Sequence, residues 1–535
     1  MGIPSYFSFI VKNHGDIVRK LHRLNKNVDN FYLDSNSIVY DCLRALDKEY
    51  KENDEEFEKL LIEAVCRKID EYIAIIKPQN RVFIAFDGVA PVAKLEQQRN
   101  RRYKSYLLEE IKNNFEKQNK KWDKTAITPG TNFMSKLANS TSLYFKDKEK
   151  QYGINKFIVS TSAVPGEGEH KLFGFIRNNK ASHSDQVTMI YGLDADLIML
   201  ALNHLPVSKQ IYLYRETPEF IKSLNRNLEP GEAYFLDIPK LAQTIRLDMT
   251  GTSVISKKQE SNRLYDYILL CFFLGNDFMP HFPSLNIRTG GIHVILAAYK
   301  NLFRKSNNNL TNGKIIYWHN VKKLVEYLAD AEFQNLVKEY NLRAKWEKRN
   351  YSCETLDDKM AKLDSIPTKN RDIEKFIDPF NNGWEHRYYK ALFNIDINKY
   401  WKKKICMNYL EGLEWTMKYY SSGCVSWDWC YNYNYPPLWK DLLKYIPSWE
   451  TTMIEKNNSR PIAPEVQLAY VLPRPSLKLL PSEFHEILLK EKGEHYPTNS
   501  RIYWAFCKYF WESHVDLPHI DLNDLKMIFT EVVKN

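Results

Sequence analysis

Acidic residues stand in or beside strongly apolar stretches of this 535-residue chain. They are Asp34, Asp87, Glu167, Glu169, Asp194, Asp196 and Asp277. An isolated carboxylate in apolar surroundings is costly unless a cation compensates it. Oxygen-rich clusters suit Mg²⁺ or Mn²⁺ rather than zinc, and seven carboxylates exceed what one Mg²⁺ needs. We therefore predict a two-metal site for phosphoryl transfer, in which one ion activates water and the other stabilises the leaving oxygen.

Helix capping is the simpler explanation for some of these acids. Glu167 and Glu169 could cap a helix that follows Pro165 and Gly166, and Asp196 could cap the next helix. Capping accounts for single residues but not for the whole set. A metal site remains the better interpretation of the cluster.

A basic cluster begins seven residues after Asp87, in KLEQQRNRRYKS. On a helix, Lys94, Gln98, Arg101 and Arg102 share one face, because their spacing is i, i+4, i+7, i+8. Arginine binds phosphate bidentately and glutamine adds neutral donors, so the face predicts an anion pocket. A solvated basic face is the alternative, and the nearby acids argue against it.

An aromatic cluster occupies residues 423–437, GCVSWDWCYNYNYPP. Trp427, Trp429 and three tyrosines alternate with other residues, as on one face of an extended segment. Nucleobases stack on such rings regardless of base identity. Most of these rings are expected to form a core face, with one or two exposed to substrate.

The elements that position these residues follow from apolar runs. Strands are predicted at residues 30–33, 81–86, 156–160 and 186–191, with helices between them, for example at 56–76 and 168–177. Strands alternating with helices indicate an α/β fold with a mainly parallel sheet. Asp34, Asp87 and Asp194 each follow a predicted strand, at the sheet edge where ligands bind.

Composition limits the function classes. Hydrophobic residues make up 44% and charged residues 27% of the chain, which excludes wholesale disorder. The net charge of +10 favours a polyanionic partner. Eight cysteines without a C-x-x-C pair predict neither a disulfide scaffold nor a zinc site. No apolar run approaches the ~18 residues that span a bilayer, so no membrane association is expected. We expect a soluble intracellular protein, in the cytoplasm rather than the nucleus.

Taken together, these segments resemble the XRN family of 5′→3′ exoribonucleases. The likeness lies in MGIPSYF, YLDSNSIVYDC, AFDGVAPVAKLEQQRNRRYKS, ITPGTNFM, VPGEGEHKLFGFIR, YGLDADLIML and LLCFFLGNDFMPHFPSLNIRTGGI. It resumes with LEWTMKYYSSGCVSWDWCYNYNYPP and, more weakly, with PEVQLAYVLP and LPHIDLNDL. The resemblance therefore runs from residue 1 almost to residue 535.

The resemblance implies a PIN-like α/β catalytic region over residues 1–335 and a mainly helical second region over 386–535. Residues 336–385 are interpreted as a charged linker or surface excursion. It also implies Mg²⁺-dependent, processive hydrolysis of single-stranded RNA from a 5′-monophosphate end, releasing nucleoside 5′-monophosphates. The seven acids match the family's metal ligands. Lys94, Gln98, Arg101 and Arg102 match its 5′-monophosphate pocket. Either Trp427 or Trp429 matches its base-stacking tryptophan.

The sequence departs from the family pattern in two places. Tyr40 stands where the family places a stacking histidine, so stacking is expected to survive without imidazole chemistry. The long C-terminal extensions of the family are also expected to be missing, and protein partners that dock on them are not inferred. A functional link to a decapping enzyme is a further expectation.

Two other functions remain open. A structure-specific flap endonuclease acting on DNA shares the acid-rich PIN-like arrangement. In that class a glycine-rich helical hairpin motif follows the last Asp, whereas here Asp277 precedes FMPHFPSLNIRTGGIHVI. A catalytically inactive RNA-binding scaffold is the other alternative. The presence of all seven acids argues against it, because clustered carboxylates repel and cost stability.

Overall fold

A mixed sheet with helices on both faces lies within residues 1–335, which we call the first half of the protein. Residues 386–535 are called the second half. The computed structural model describes residues 3, 5–115, 120–192, 194–216, 222, 228–251 and 256–534. Within them the strands are β1 (Val18–Lys20), β2 (Asn30–Asp34), β3 (Arg81–Ala85), β4 (Lys156–Ser160), β5 (Val187–Tyr191), β6 (Gln210–Glu216), β7 (Ala233–Asp237), β8 (Ile502–Tyr503) and β9 (His514–Val515).

The strand order in the sheet is β1-β7-β6-β5-β2-β3-β4, and β8 pairs with β9 in a separate two-stranded ribbon. Strands β2 to β6 run parallel, whereas β7 is antiparallel to both of its neighbours. Because β2 lies between β3 and β5, the ends of these three strands meet at one edge. The α/β class and the mainly parallel sheet are therefore confirmed.

The α-helices of the described residues surround this sheet and continue into the second half. They are α1 (Tyr6–Asn13), α2 (Asn36–Leu46), α3 (Asp54–Ile76), α4 (Val92–Phe115), α5 (Asn132–Tyr144), α6 (Glu149–Tyr152), α7 (Gly168–Asn178), α8 (Lys180–His183), α9 (Ala195–His204), α10 (Ile238–Thr250), α11 (Lys257–Phe272), α12 (Gly291–Phe303), α13 (Trp318–Asp330), α14 (Glu332–Glu347), α15 (Leu356–Asp364), α16 (Ile366–Lys369), α17 (Asp372–Ile377), α18 (Trp384–Phe393), α19 (Lys399–Ser422), α20 (Trp439–Leu443), α21 (Pro464–Val471), α22 (Ser482–Lys492) and α23 (Leu522–Lys534).

Two hydrophobic clusters cover the two faces of the sheet. One contains buried residues of α2, α3 and α5, for example Leu61 and Leu137. The other joins α7, α9 and α11 to the second half, so that Phe272, Trp415 and Trp439 belong to one cluster. The second half is thus packed through apolar side chains against the helices that cover this face of the sheet.

Residues 336–385 carry most of α14 together with α15, α16 and α17. Arg343 is fully buried there, and its Nη2 lies 2.7 Å from Glu374 Oε1. A buried pair of this kind ties α14 to α17. The domain boundaries remain a prediction. None of the helices in the described ranges is long and apolar enough to cross a membrane.

Candidate active site

The candidate active site is a cavity of about 270 Å³ at the carboxyl ends of β2, β3 and β5. We call it the acidic cavity. It is lined by all seven predicted acids and by all four residues of the predicted phosphate pocket, together with Tyr40: Asp34, Asp87, Glu167, Glu169, Asp194, Asp196, Asp277, Lys94, Gln98, Arg101 and Arg102. Residues more than 240 positions apart therefore converge on one site.

Two strand ends deliver the first acids. Asp34 is the last residue of β2 and pairs in register with Ala85, the last residue of β3, so Asp87 follows two positions after the end of that strand. Asn36 fixes Asp87 from both sides, since its Nδ2 donates to Asp87 Oδ2 at 2.8 Å and its Oδ1 accepts from the Asp87 amide at 3.0 Å. The parallel register and this amide clamp hold the two carboxylates side by side.

Two helix starts deliver the next acids. Glu167 and Asp194 occupy the N-cap positions of α7 and α9, but within the described residues neither side chain makes a capping hydrogen bond. Asp196 and Glu169 stand at the second positions of the same helices, close to the positive end of the helix dipole. The capping alternative named Glu167, Glu169 and Asp196. Of these only Glu167 stands at an N-cap position, and its side chain makes no capping hydrogen bond among the described residues.

Gly168 allows these two groups of acids to meet. A Cβ on this residue would lie 2.5 Å from Asp34 Oδ1 and 3.4 Å from Asp87 Oδ1, so a larger residue would push Asp34 away. The Gly168 amide donates to Asp87 Oδ1 at 2.7 Å. One ligand atom from each of Asp34, Asp87 and Glu169 consequently lies within 4.8 Å of the other two.

The Lys94 ammonium lies among the acids and not beside Arg101 and Arg102 of the predicted phosphate pocket. Its ammonium forms ion pairs with Glu167 and, at 3.2 Å, with Asp277 Oδ2. Gln97, one turn along α4, donates to Asp277 Oδ1 at 2.9 Å. Helix α4 therefore neutralises and orients the acid that reaches the site from the loop after α11.

The second half of the chain contributes two tyrosines to the acids. Tyr419 on α19 donates to Glu167 Oε2 at 3.0 Å, and Tyr420 donates to Asp196. His170 stacks on the Tyr419 ring with centroids 3.7 Å apart. Neighbouring residues of one helix thus hold acids from α7 and α9, which explains why the second half is needed to complete the site.

The electrostatics of the site show a surplus of buried negative charge. Burial and the neighbouring carboxylates raise the pKa of Asp34 well above its ordinary value. Burial raises the pKa of Glu169 to about 7 although Lys94 opposes it, and burial raises that of Asp196 to about 6. Burial alone would also raise the pKa of Asp277, but the Lys94 ammonium holds it below its ordinary value. One lysine does not compensate this many acids.

These residues fit divalent metal ions. The donors are carboxylates, and Asp34 Oδ1 is buried without a hydrogen-bond partner among the described residues. Raised pKa values combined with a vacant acceptor atom are typical of a site in which a cation supplies the missing positive charge. Glu167, Glu169 and His170 form a second group of potential ligand atoms within 4.8 Å.

The other three residues of the predicted phosphate pocket line the acidic cavity from α4, the helix that also carries Lys94. They are Gln98, Arg101 and Arg102, as the helical spacing predicts. Gln98 Oε1 and Arg102 Nε are buried without a hydrogen-bond partner in the part of the chain that the structure describes. Burial lowers the pKa of Arg102 to about 10, so no acid is paired closely enough to offset its desolvation. A phosphate would satisfy this guanidinium.

The structure separates the two tryptophans. Neither lines the acidic cavity. The Trp429 ring stacks on Trp415 at 5.3 Å, and its indole nitrogen donates to Glu411. The half-buried Trp427 has no aromatic ring partner in the described ranges, and its carbonyl accepts from the Val92 amide at the start of α4. Trp429, half-buried as well, packs against the hydrophobic core through Trp415, whereas Trp427 contacts α4 through its backbone.

Sequence reasoning missed the residues that position the acids. They are Asn36, Gln97, Gly168, His170, Tyr419 and Tyr420, and of these Asn36 lines the acidic cavity. Most stand inside the quoted motifs, directly beside the acids or basic residues. Their roles depend on contacts between segments far apart in the chain, which spacing alone does not reveal.

The sequence matches two family descriptions. Residues 1–217 match "XRN 5′-3′ exonuclease N-terminus", and residues 258–375 and 337–534 match "Xrn1 helical domain". The second description alone spans more than half of the chain. These matches include every residue of the acidic cavity.

Similar proteins of known activity span the whole chain. The 5′-3′ exoribonuclease 2 of Arabidopsis thaliana is 25% identical and covers 100% of this chain and 68% of its own length. The 5′-3′ exoribonuclease 2 of Gallus gallus is 26% identical, with coverage of 99% and 70%. The 5′-3′ exoribonuclease 1 of Saccharomyces cerevisiae is 28% identical over 97% of this chain and 42% of its own length.

Among solved structures, the catalytic core of Rad2 in complex with DNA substrate is similar at a TM-score of 0.32 and 17% identity. The similarity covers 63% of this chain and 79% of that chain. Likeness at this level says nothing about substrate. Site and family matches agree, since the acids, the basic face of α4 and the tyrosines of α19 all lie within the matched residues. The chain belongs to the XRN family of 5′→3′ exonucleases.

Proposed function

We propose that this protein is a processive 5′→3′ exoribonuclease that hydrolyses single-stranded RNA carrying a 5′-monophosphate and releases nucleoside 5′-monophosphates. The observation that carries the proposal is the convergence of seven acids and the basic face of α4 on one cavity of about 270 Å³. An acidic cluster alone would suit many nucleases. An adjoining set of unpaired cationic donors adds recognition of a terminal phosphate.

The acids would hold two Mg²⁺ ions, and Mn²⁺ would suit the same carboxylate oxygens. Asp34, Asp87 and Glu169 form one group of ligand atoms within 4.8 Å of one another, and Glu167, Asp194, Asp196 and Asp277 also line the cavity. Bound ions would activate the attacking water and stabilise the leaving 3′ oxygen.

Arg101, Arg102 and Gln98 bind the 5′-phosphate in this proposal. With the terminal phosphate on α4, the next phosphodiester lies one nucleotide further along, over the acids. Hydrolysis there leaves a new 5′-phosphate on the shortened RNA, which can occupy the same donors. The pocket therefore sets both direction and processivity, and it favours a 5′-monophosphate over a larger cap or triphosphate.

Tyr40 and Trp427 are proposed to stack on the bases of the first nucleotides. Tyr40 lines the acidic cavity, and Trp427 is fastened to the start of α4 by its backbone. Stacking on aromatic rings is worth about 1–3 kcal/mol per base and tolerates every sequence. An enzyme that degrades RNA regardless of sequence needs this kind of contact. A decapping enzyme, which generates 5′-monophosphate ends, is the functional partner this proposal implies.

The test compares one 3′-labelled single-stranded RNA bearing a 5′-monophosphate, a 5′-triphosphate, a cap or a 5′-hydroxyl, each with Mg²⁺. We expect rapid loss of the monophosphate form alone and no loss with Asp194→Ala/Asp196→Ala. Equal loss of all four RNAs would contradict the phosphate pocket but keep the nuclease. Cleavage of flap DNA without cleavage of RNA would favour the DNA endonuclease. Absence of cleavage together with retained RNA binding would favour the scaffold.

A further inference from the structure

A second cavity of about 320 Å³ adjoins the acidic cavity. Arg101 and Asp277 line both, so the two share a wall. We call the second one the aromatic cavity. Its walls come from the other side of α4 and from residues 274–288, 431–435 and 505–514. Its volume falls within the range of small-molecule sites, and the proposed function so far leaves it unused.

Flat aromatic surfaces form part of its wall. Trp511 lines the cavity with 37% of its surface exposed, and its ring stacks parallel to Tyr509 at an interplanar angle of 13°. The half-buried Tyr433 also lines the cavity. Rings held in this way offer faces on which a nucleobase can stack.

Polar atoms without partners are concentrated in the same lining. Gln97 Oε1, Asn276 Nδ2, His281 Nε2 and Arg288 Nε are all buried without a hydrogen-bond partner among the described residues. Each unsatisfied buried group costs about 1–3 kcal/mol, so such a concentration calls for a ligand or ordered water. The set contains both acceptors and donors, as the edge of a nucleobase and a ribose require.

Cationic groups also belong to the lining, together with the carboxylates of Glu96, Asp277 and Glu512. The Arg288 guanidinium lies 5.4 Å from the Tyr509 and Trp511 ring centres and is ion-paired with Glu512. Lys104 Nζ is fixed by the carbonyls of Trp511 and Ser513 at 2.6 Å each. Together with Arg101, these groups can attract a phosphate.

Processive hydrolysis creates a need for such a compartment. In the proposed reaction the first nucleotide lies deepest in the acidic cavity, and the RNA behind it fills the entrance. The released nucleotide must leave before the new 5′-phosphate can reach Arg102. If it left by the entrance, the RNA would have to dissociate, and processivity would be lost.

We propose that the aromatic cavity is a second nucleotide site, which receives the nucleoside 5′-monophosphate released in the acidic cavity. The inference rests on the proposed function, since it takes that enzyme's product as its ligand. The ring faces would stack on the base, the unpartnered polar atoms would bind its edge and the ribose, and Arg288 would face the phosphate.

Equilibrium dialysis of the full chain with labelled AMP or UMP in the presence of Mg²⁺ tests the proposal, since the enzyme does not hydrolyse its own product. We expect two nucleotides per chain. Gln98→Ala/Arg102→Ala removes groups that line only the acidic cavity and should leave one. Arg288→Met/Trp511→Ala removes groups that line only the aromatic cavity and should also leave one, with the affinity of the lost site reduced about tenfold or more. Arg246→Met, which breaks an arginine–glutamate pair outside both linings, should keep two.

The outcomes separate this inference from the proposed function. One nucleotide per chain that is lost only in Gln98→Ala/Arg102→Ala would overturn the second site and leave the proposed function standing. One nucleotide lost only in Arg288→Met/Trp511→Ala would support the second site and contradict the 5′-phosphate pocket. No bound nucleotide at millimolar concentration would overturn the second site, and the RNA hydrolysis test would still decide the proposed function.

Processivity provides a second readout that a merely structural defect would not reproduce. On a 5′-monophosphorylated RNA with excess unlabelled trap, Arg288→Met/Trp511→Ala should remove several-fold fewer nucleotides per binding event than Arg246→Met. Equal run lengths in a folded variant that has lost the second nucleotide would overturn the role in product release.

Discussion

At the scale of single residues, the acidic cavity depends on contacts that keep its carboxylates close together and available. Glu167 and Asp194 stand where helix caps stand but do not cap, and Asp34 keeps a buried oxygen without a partner among the described residues. Gly168 and Asn36 then fix the spacing between the strand-end acids and α7. The clustered carboxylates repel one another, which lowers stability, and bound cations would relieve this repulsion.

Replacing Gly168 should abolish activity without unfolding the protein. In Gly168→Ala the new methyl group displaces the Asp34 carboxylate, whose Oδ1 would lie 2.5 Å from it, so hydrolysis should fall by about 100-fold or more. RNA hydrolysis and thermal unfolding are both measured. Gly174→Ala on the same helix is the matched control, because its Cβ meets Arg177 at an ordinary 3.6 Å. Equal activities of the two variants would show that Gly168 does not set the spacing.

The metal-free protein should lose stability as the pH rises. Folding raises the pKa of Glu169 from 4.5 to about 7, so the folded state keeps a proton that the unfolded chain releases. The associated stability is complete below about pH 4.5 and is lost as the pH rises toward 7. In EDTA, Glu169→Gln should therefore become more stable than the parent by on the order of 1–3 kcal/mol between pH 5 and pH 8.

Thermal unfolding at both pH values measures this difference. Excess Mg²⁺ at pH 8 is the internal control. It should reverse the order of stability, because charged Glu169 binds the cation and glutamine does not. A difference that is the same at pH 5 and pH 8 would contradict the assignment.

The two tryptophans should respond in opposite ways. Trp427→Ala should weaken binding of 5′-phosphorylated RNA by about 1–3 kcal/mol with little change in stability, because its ring has no aromatic partner in the described ranges. Trp429→Ala should instead lower stability by about 1–3 kcal/mol, because its half-buried ring packs on Trp415. RNA affinity and thermal unfolding of both variants decide between them. Weakened RNA binding in a stable Trp429→Ala would reverse the assignment.

The acids could be predicted from the sequence because each combines an unusual residue type with an apolar neighbourhood. The basic residues could be predicted because a helix repeats every 3.6 residues. Tyr419 and Tyr420 could not, because tyrosines in an apolar helix are far more often core residues. Only the fold shows that their hydroxyl groups reach Glu167 and Asp196.

At the scale of elements, the apolar runs predict β2, β3, β4 and β5 to within one residue at each end. Strands β6 and β7 carry apolar runs of the same kind and were missed, although the same signal is present. Strand β1, Val18–Lys20, offers no alternation to recognise in three residues. These three strands extend the sheet away from the acids, so the prediction of the site did not depend on them.

Helix α19 is expected to act on the site through its hydroxyl groups. Tyr420→Phe removes the donor to Asp196, so that acid is held less firmly and the Mg²⁺ concentration for half-maximal hydrolysis should rise several-fold. The preference for 5′-monophosphate should not change. Tyr409→Phe is the control on the same helix, since its hydroxyl makes only a 3.4 Å contact to the Pro280 carbonyl. Identical Mg²⁺ dependence in the two variants would rule out a positioning role.

At the scale of the whole molecule, the aromatic cavity was beyond sequence reasoning. Its unpartnered polar atoms lie on α4, in the loop after α11 and in the 3-10 turn around Arg288, and its rings lie in the second half. Segments separated by more than 400 residues meet there, and none of them carries a motif for the cavity. The family resemblance supplied the active site, whereas this compartment exists only in the packed chain.

The two halves are expected to unfold together. One hydrophobic cluster contains Phe272 and Trp318 of the first half with Trp415 and Trp439 of the second, so the two halves share part of their core. Differential scanning calorimetry should show one cooperative transition. Trp439→Leu should lower the temperature of the entire transition, because the indole stacks on Phe282 at 3.5 Å across the junction. If only part of the unfolding transition shifted to lower temperature, the halves would be independent domains. The tyrosines of α19 would then hold the acids only while the two halves are in contact.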